Sequence, residues 1–554
     1  MVNPITAADS IQSALENKSF DTGATSDAGA LSGVEMFPVS RGAGKVQTTL
    51  TKLATWVIGT FAGYTQSGTG ALARAIQSRL QDIVSVKDFG AVGNGTTDDT
   101  VAVQNAINSL GATGGTVVVP RNMKLLVGSN LTVAPNVSLV GPHNFVGTPG
   151  SNNSTAYGSV GALILSSTAT ITLSSGSSLR GLLIYRQGMV FPAVDASLFA
   201  GTAVTINGDD AAIERSMILG FNKAIYSNGF QRPRIEYLFH DNVNGIEIAN
   251  CLDIPYISNC HAWPFATIAN GTGYTTSIRT GIAYYIHDTA DWAKLTNCFS
   301  WGYFRGIELL NANSVTLLSC GADNAFSGGL PVNANSIGIA LLGTTSDARI
   351  IGCQAAAQAQ AGIYVDTSVG SITKIIGFDC WGGSTHGVQV DQGDCTVSNS
   401  TFGGLAAIQN GVTTNTTSGR ISIAGNRFAQ ITGNPVNIVQ ASSTVFIGPN
   451  DYGAYTGQVA SAGLQAPTIA SASPLVIPNT GDIFDISGTT GFSVLDYGWM
   501  GRQVTLVFTG ALTMTGSTGV NSLNIAGGTF TTASGSCITL KHNGNNWFEV
   551  GRKA

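Results

Sequence analysis

The sequence predicts an all-β chain whose central part is a parallel β-helix, and three observations support this prediction. Between residues 201 and 450 a short apolar start, usually containing glycine, recurs mostly at spacings of 21 to 25 residues. A second apolar run follows each start, about 14 residues later in the coils where it is clearest. Gly, Asn, Ser and Thr fill the gaps, and no helical periodicity is present. A fixed period of this length is typical of a solenoid built from β-coils.

The coil starts define a register with two interruptions. The starts are TAVTI at Ala203, KAIYS at Ala224, NGIEI at Gly245, TGIAY at Gly281, RGIEL at Gly306, IGIAL at Gly338, AGIYV at Gly362, HGVQV at Gly387, NGVTT at Gly411 and NPVNI at Pro435. Two spacings, of 36 and 32 residues, are longer than the others, and their extra residues lie at about 264–280 and 324–337. Because both insertions connect the same two strand positions, we expect them to form the walls of a groove on one side of the solenoid.

Cysteines mark the second strand of successive coils. The runs YISNC, LTNCF, LLSCG, RIIGC and IIGFD place Cys260, Cys298, Cys320, Cys353 and then Phe378 in one column. Small apolar side chains in such a column are expected to stack inside the solenoid. A zinc site would need paired cysteines at short spacing or nearby histidines, so no metal is expected. The eight cysteines are therefore predicted to be free thiols in a protein folded in a reducing cytoplasm.

Composition narrows the function classes. Charged residues are 10% of the 554 residues and hydrophobic residues are 43%, which favours turn-rich β-structure over disorder. A formal net charge of −5 argues against a nucleic-acid groove. The N-terminus has neither the basic start nor the apolar core of a signal peptide, and no apolar run is long enough for a membrane helix.

The N-terminal part is predicted to differ from the solenoid. Residues 1–65 read as short helical and turn-rich pieces, and residues 66–85 as a helix with Leu72, Ile76, Leu80 and Ile83 on one face. An isolated helix of this length is marginally stable, so its apolar stripe must pack either on copies of itself in a trimer or on its own chain.

The next segment, residues 86–120, is predicted to close the end of the solenoid. Asp98 and Asp99 can cap a helix whose apolar positions are Val103, Ala106, Ile107 and Leu110, and the β-run TVVVP follows. An open β-helix end exposes a sheet edge and a core, so a covering helix is physically required.

Here the sequence resembles a known family. The run VKDFGAVGNGTTDDT followed by GGTVVVP resembles the opening segment of bacteriophage tailspikes of the right-handed, pectate-lyase-like β-helix superfamily. Residues 33–57 are similar to virion-attachment segments of phage tail proteins, and the C-terminal run from GDIFDISG to NNWFEVGRK resembles a β-sandwich that closes many such spikes. The resemblance implies a homotrimer with a tail-attachment region (1–65), a helical neck (66–85), a β-helix (86–465) and a C-terminal module (466–554).

The C-terminal module also has a pattern of its own. Runs such as QVTLVF, SLNIAG and CITLKH alternate apolar and polar residues between turns, which predicts an antiparallel β-sandwich. The family resemblance implies that this module holds chains together or contacts sugar, and a simple end cap is the alternative.

Acidic residues in the first strand of each coil suggest a catalytic pair. In the first strand of each coil the glycine and every second residue after it are predicted to point outward. This gives the outward column Tyr226, Glu247, Ala283, Glu308, Ala340, Tyr364 and Gln389. Glu247 and Glu308, two coils apart, would be roughly 10 Å apart at the backbone. That spacing suits an inverting glycosidase, which leaves room for a water between its two carboxyl groups.

A second column, on the third strand, supplies candidate sugar contacts. It contains Trp263, Trp301, Asp323, Ala356 and Trp381. Exposed tryptophan rings stack on sugars, and Asp323 would be a third catalytic candidate. The alternative is that these tryptophans face inward or pack between chains. Tyr285, Tyr364 and Arg305 complete the predicted substrate contacts.

Two other acidic clusters are weaker candidates. Asp366 and Asp391 each follow a coil-start glycine by four residues, and Asp394 lies three residues further on. Carboxylates about 5 Å apart would suit a retaining mechanism, whereas aspartates are also common in turns. The run HDTADW, with His287, Asp288 and Asp291, reads more simply as a solvated turn.

Together these features predict a phage tailspike that cleaves host O-antigen or capsule by two-carboxylate hydrolysis, without a cofactor. Alternatives are a non-cleaving receptor-binding spike, a structural tail component, and a polysaccharide lyase in which Arg279 or Arg305 assists a base. Deacetylation is a further enzymatic option, but the sequence shows no Ser-His-Asp set that would support it. The expected partners are two further copies, a tail or baseplate protein and bacterial polysaccharide, with no nucleic acid or membrane insertion. The expected location is the virion tail at the host surface, after synthesis in the host cytoplasm.

Overall fold

The computed structural model describes residues 36–41, 44–49, 63–143, 161–191, 199–269, 273–274, 279–324, 335–416, 418–439, 445–457, 459, 468–478 and 481–554. The chain divides into two compact units, Met1–Val84 and Ser85–Ala554. Among the described residues, no helix has both the length and the apolarity needed to cross a bilayer.

The larger unit contains three long parallel sheets, so the predicted parallel β-helix is confirmed. Each coil contributes one strand to each sheet in turn. The first sheet contains Leu131–Val133, Ile171–Leu173, Thr202–Ile206, Lys223–Asn228, Asn244–Ala249, Ile282–His287, Arg305–Leu310, Ile337–Gly343, Ala361–Thr367, His386–Gln392, Asn410–Thr414 and Val436–Ile438. The second sheet contains Ile83–Ser85, Gly115–Val118, Val137–Val140, Ser178–Arg180, Ala212–Glu214, Arg234–Glu236, Tyr256–Ser258, Lys294–Thr296, Thr316–Leu318, Ala348–Ile351, Ile372–Ile376, Asp394–Ser398, Ile421–Ala424 and Val445–Ile447.

The third sheet completes the coil. It contains Asn94–Asp98, Lys124–Val127, Ala162–Leu165, Leu183–Arg186, Met217–Leu219, Phe239–Asp241, His261–Ala262, Phe299–Trp301, Gly321–Asp323, Gln354–Ala356, Asp379–Trp381, Thr401–Phe402, Arg427–Ile431 and Asp451–Tyr455. Strands of neighbouring coils pair in parallel, so equivalent side chains stack in columns at the spacing of adjacent strands, about 4.8 Å.

The cysteine column lies inside the solenoid, as predicted. Cys260, Cys298, Cys320 and Cys353 are buried free thiols, and the Cys320 backbone N–H donates to Cys353 Sγ at 3.4 Å. The residue before each member of the column has a positive φ, for example 53° at Asn259. Asparagine and glycine adopt this conformation at least cost, which explains Asn259, Asn297 and Gly352 at this corner; Ser319 is the exception.

The coil-start glycines are required by packing in the interior. A Cβ on Gly387 would lie 2.4 Å from Phe402 Cδ1, and one on Gly411 would lie 2.4 Å from Phe428 Cε1. The outward orientation implied for these glycines by the sequence pattern is therefore wrong. Both positions face the interior, where a phenylalanine of the third sheet fills the space that a Cβ would need, so only glycine fits there.

The predicted covering helix is present at Thr100–Ser109, with Val103, Ala106 and Ile107 buried. Asp98 accepts from the Thr100 N–H and hydroxyl, whereas Asp99, at the N-cap position, accepts from Val92 N at 2.7 Å and Gly93 N at 3.0 Å. The predicted caps thus have different tasks: Asp98 satisfies the helix start and Asp99 fixes the preceding loop. That loop follows a short 3₁₀ helix, Val86–Phe89.

The smaller unit differs from its prediction. The long helix expected in 66–85 is wrong, because the structure has a ribbon of Gly63–Thr65 and Ala73–Ala75, a helix of only Ile76–Leu80 and a strand Ile83–Ser85. Leu72, Ile76 and Ile83 are exposed, with 82%, 38% and 59% of their surface accessible. Within 1–65 the structure describes an antiparallel hairpin, Met36–Arg41 with Gly44–Thr49, and the start of the ribbon; residues 1–35 lie outside the described part.

The C-terminal module is a β-structure with its own core, and its pairing is mixed rather than purely antiparallel. Its larger sheet contains Thr468–Ala470, Ile483–Ser487, Gln503–Phe508, Cys537–His542, Trp547–Lys553 and Leu523–Asn524, and a ribbon pairs Thr513–Thr515 with Thr529–Thr531. The predicted antiparallel pairing holds for Gln503–Phe508 with Cys537–His542 and for Cys537–His542 with Trp547–Lys553. The other pairs in the sheet are parallel. Trp547 is fully buried in the core between them.

Candidate active site

The outward column of the first sheet carries the two predicted glutamates, with one change of register. Glu247 pairs with Tyr285, and Tyr285 pairs with Glu308. The prediction that Ala283 stands between the glutamates is wrong, because the first insertion shifts the strand register by two residues and leaves Ala283 buried. The glutamates remain two coils apart, about 10 Å at the backbone, with the Tyr285 ring between them.

Glu247 is held by two cationic side chains. Lys223 Nζ lies 2.6 Å from Glu247 Oε2, and His287 Nε2 lies 3.5 Å from Glu247 Oε1. Burial tends to raise the pKa of Glu247, but the contacts with His287 and Lys223 outweigh burial and lower it. Glu247 is therefore kept ionised, which is the state required of a general base.

Glu308 has the opposite protonation tendency. Its side chain is 10% exposed, and Arg305 Nε lies 2.8 Å from its Oε2. Burial raises the pKa of Glu308, and the nearby charges of Arg305 and His287 offset only part of that effect. The surroundings thus move the pKa values of the two carboxyl groups in opposite directions. Such a pair can supply one general acid and one general base.

Tyr285 and His287 form a stacked pair between the glutamates. Their ring centroids are 3.9 Å apart, and His287 Nδ1 lies 2.9 Å from Asp288 Oδ2. Burial tends to lower the pKa of His287, but its contacts with Glu247 and Asp288 raise it. Burial raises the pKa of Tyr285 to about 12, so its hydroxyl stays protonated and can donate to a sugar.

Sequence reasoning missed Lys223 and undervalued His287. The run HDTADW was interpreted as a turn, but His287 is the outward residue two positions after Tyr285 and reaches Glu247 on the neighbouring strand. Lys223 opens the strand before that of Glu247, and pairs with Asn244. Recognition of the two-residue shift would have pointed to His287. Lys223 precedes the insertion and was missed because it pairs with Asn244, three residues before Glu247.

The tryptophan column exists, but its members are not equally exposed. Trp301 pairs with Asp323, which pairs with Ala356, and Ala356 pairs with Trp381. Trp301 is only 3% exposed and packs against the half-buried Trp263, with 5.5 Å between the centroids of the two rings. The prediction that Trp301 offers an exposed plate is therefore wrong.

Asp323 and Trp381 are half-buried members of the third sheet. The row of glutamates belongs to the first sheet. Asp323 thus stays a candidate on a different sheet, and the structure does not place it in the column of Glu247 and Glu308.

Arg279 is a structural residue. It is fully buried, its Nη1 donates to Asp241 Oδ1 at 3.1 Å and to Thr267 Oγ1 at 2.8 Å, and its guanidinium lies over the Trp301 ring. Thr267 and Arg279 lie near the two ends of the first insertion, so their hydrogen bond joins the ends, and Asp241 contacts both residues. The suggested role of Arg279 beside a lyase base is therefore wrong.

The second acidic cluster is also rearranged. A bulge after Val365 places Gln392 opposite Asp366, so Asp391 is not the direct neighbour that the spacing predicted. Asp394 starts a second-sheet strand and accepts from Arg420 N at 2.9 Å. Asp366 and Asp391 thus stay candidates on neighbouring strands of the first sheet, whereas Asp394 lies on the second sheet.

Asp391 instead belongs to a polar network on the first sheet. Its carboxylate accepts from Tyr364 Oη at 2.8 Å, Gln389 Nε2 at 2.9 Å and Asn415 Nδ2 at 2.6 Å. Tyr364 and Gln389 occupy the same outward column as the glutamates, further along the solenoid. Among the described residues, no group of three or more His, Cys, Asp or Glu side chains is arranged to hold a metal ion.

Comparison with known proteins gives a family-model match at the start of the solenoid. Residues 83–172 match the family model described as rhamnogalacturonase A/epimerase, pectate lyase-like. A segment of 64 residues is 44% identical to the mannuronan C5-epimerase AlgE2 of Azotobacter vinelandii. That segment is 10% of this chain and 6% of the epimerase, so the match spans a small part of either protein.

Three solved structures are similar over two thirds or more of the chain. The tailspike protein of E. coli bacteriophage HK620, in complex with a pentasaccharide, is 12% identical with a TM-score of 0.47, over 89% of this chain and 95% of that one. Tailspike gp49 of Acinetobacter baumannii bacteriophage Fri1, a capsular polysaccharide depolymerase, is 15% identical with a TM-score of 0.41, over 71% and 68%. The AlgE6 A-module of Azotobacter vinelandii is 14% identical with a TM-score of 0.41, over 67% and 99%. At such low identity these likenesses concern the fold alone.

Proposed function

We propose that the chain is a tailspike depolymerase that hydrolyses a bacterial surface polysaccharide with inversion at the anomeric carbon. The observation that carries the proposal is the pair Glu247 and Glu308, two coils apart on one face, with pKa values moved in opposite directions. The resemblance of the opening segment to phage tailspikes gives the biological setting.

In the proposed reaction Glu308 is the general acid and Glu247 the general base. Glu308 gives its proton to the glycosidic oxygen as the bond from that oxygen to the anomeric carbon breaks. Glu247 takes a proton from a water molecule, whose oxygen bonds to the anomeric carbon from the opposite face. Lys223 and His287 keep Glu247 ionised until it accepts that proton.

The remaining parts of the proposal concern assembly. Three chains would associate, residues 1–65 would attach the spike to the phage tail, and the protein would act at the host surface. The exposed Leu72, Ile76 and Ile83 give the N-terminal unit an apolar surface suited to packing between copies. The mass in solution tests the trimer directly.

The decisive experiment measures polysaccharide shortening by Glu247→Gln and Glu308→Gln. Both variants keep shape and hydrogen-bonding capacity but lose the titrating group, so we expect cleavage to fall by about 10²-fold or more with binding retained. Glu236→Gln is the matched control, because Glu236 is paired with Arg234 on the second sheet. Unchanged cleavage in both variants would refute the assignment, and binding without cleavage by the wild type would indicate a receptor-binding spike.

A further inference from the structure

The proposed site faces its substrate with more carboxylates than cations. The acidic groups on or directly beside this face are Glu247, Asp288, Glu308, Asp366 and Asp391, and the basic groups are Lys223, Arg305 and His287. With Glu308 protonated for catalysis and His287 charged, four carboxylates still face three cations. His386, on the same sheet, adds no charge at neutral pH because burial lowers its pKa.

The cations of this face are committed to carboxylates of the same chain. Lys223 Nζ contacts Glu247 at 2.6 Å, and Arg305 Nε contacts Glu308 at 2.8 Å. His287 lies between Glu247 and Asp288. Arg305 Nη1 is buried and lacks an acceptor within the described part of the chain, so the Arg305 cation presents little charge to a substrate.

Further along the column the face becomes more acidic. Asp366 forms no ion pair with a described residue, and Asp391 is held by neutral donors: the Tyr364 hydroxyl and the Gln389 and Asn415 amides. A carboxylate accepts hydrogen bonds from sugar hydroxyls but repels a second carboxylate. The insertions add no compensating charge, because the single charged residue of 264–280 and 324–337 is Arg279, which is fully buried in an ion pair with Asp241.

We infer that the substrate is an uncharged polysaccharide, built from neutral or N-acetylated sugars, and is not a polymer of uronic acids. This inference rests on the proposed function. A polyuronate would bring repeated negative charges onto a face that already has more carboxylates than cations. Mannuronan, the polyuronate in the name of the epimerase matched over a short segment, is therefore not an expected substrate of this chain.

The test is a panel of purified bacterial surface polysaccharides, neutral and acidic, together with polygalacturonate and alginate, each with and without calcium chloride. Shortening is measured by size-exclusion chromatography and by the release of reducing ends. Each acidic polymer is tested beside its carboxyl-reduced form. We expect the shortened polymers to be uncharged, with a KM that changes less than about twofold between ~25 and ~500 mM NaCl.

The outcomes separate the inference from the proposed function. Shortening of an acidic polymer but not of its carboxyl-reduced form overturns the inference and leaves the depolymerase intact. If no polymer is shortened or bound, the proposed function fails and the inference fails with it.

A single variant gives a second test through the sign of its effect. Asp366→Asn removes a charge from the face, so we expect the KM for an uncharged substrate to rise about 2- to 10-fold as a good acceptor is weakened. A lower KM would mean that the charge of Asp366 repels the substrate, and would overturn the inference. Asp347→Asn, on an ion-paired residue beside the second sheet, is the matched control and should leave KM unchanged.

Discussion

Replacement of Arg279 by methionine should loosen the base of the first insertion. Arg279 and Asp241 have no exposed side-chain surface, and Asp241 Oδ2 accepts from Ala266 N, Thr267 N and Thr267 Oγ1 at 2.9 to 3.0 Å. In Arg279→Met these three donors remain, but the buried carboxylate loses its cation. Burial already raises the pKa of Asp241, so the variant shifts this group further towards its protonated form.

The expected magnitude follows from the contacts that are lost. Arg279 Nη1 makes two hydrogen bonds, one of them to a carboxylate, and removing one partner of a buried ion pair costs about 3–5 kcal/mol. Because each 1.4 kcal/mol is a factor of ten, local opening of this segment should become more frequent by about 10²- to 4 × 10³-fold. The loss should be local, since coils of a solenoid contact mainly their neighbours.

Hydrogen exchange of the Ala266 and Thr267 amides measures this opening directly. Their protection should fall by that factor in Arg279→Met, while amides of the distant coil 394–431 should be unaffected. Arg349→Met is the control, because Arg349 forms an ion pair with Asp347 that is more than a third exposed and contributes at most about 1 kcal/mol. Unchanged protection at Ala266 and Thr267 would refute the structural role assigned to Arg279.

Three further predictions concern the site and the core. The pH profile of kcat/KM should be bell-shaped. Activity is lost as pH falls through the lowered pKa of Glu247, and it is lost again as pH rises through the raised pKa of Glu308. A flat profile from pH 4 to 8 would contradict these roles. Lys223→Met should raise the pKa of Glu247 and move the acidic limb to higher pH, which a pH series on the variant would reveal. Phe402→Ala should lower stability by about 3–5 kcal/mol, because its ring is buried and stacks 5.2 Å from Phe428; a thermal midpoint equal to wild type would exclude this.

The sequence predicted the solenoid well because each coil repeats the same physical requirements. Cys260 and Cys298 were placed inside from spacing alone, since a residue that follows a left-handed corner must point into the core in every coil. The helix Thr100–Ser109 was predicted for a similar local reason, a capped start and an apolar face. The helix expected at 66–85 failed because a four-residue spacing of apolar residues does not by itself exclude short strands.

The candidate site was only partly predictable, because register is set by pairing between coils. Glu247 and Glu308 were found from their strand positions, but the residue between them is Tyr285 and not Ala283. A two-residue shift at the insertion is invisible when coil starts are aligned by glycine. The bulge that separates Asp366 from Asp391 is hidden for the same reason.

By itself the sequence determined the periodic scaffold, the inward cysteine column, the covering helix and the strand face on which the glutamates lie. These features depend on local turn preferences and on the alternation of apolar and polar residues along a strand, and each coil repeats both patterns. The tertiary structure alone decided that Lys223 and His287 hold Glu247, that Arg279 is buried against Asp241, and that Trp301 is covered. Such contacts join residues of different coils or the two ends of an insertion, so they depend on how the coils stack and not on any local pattern.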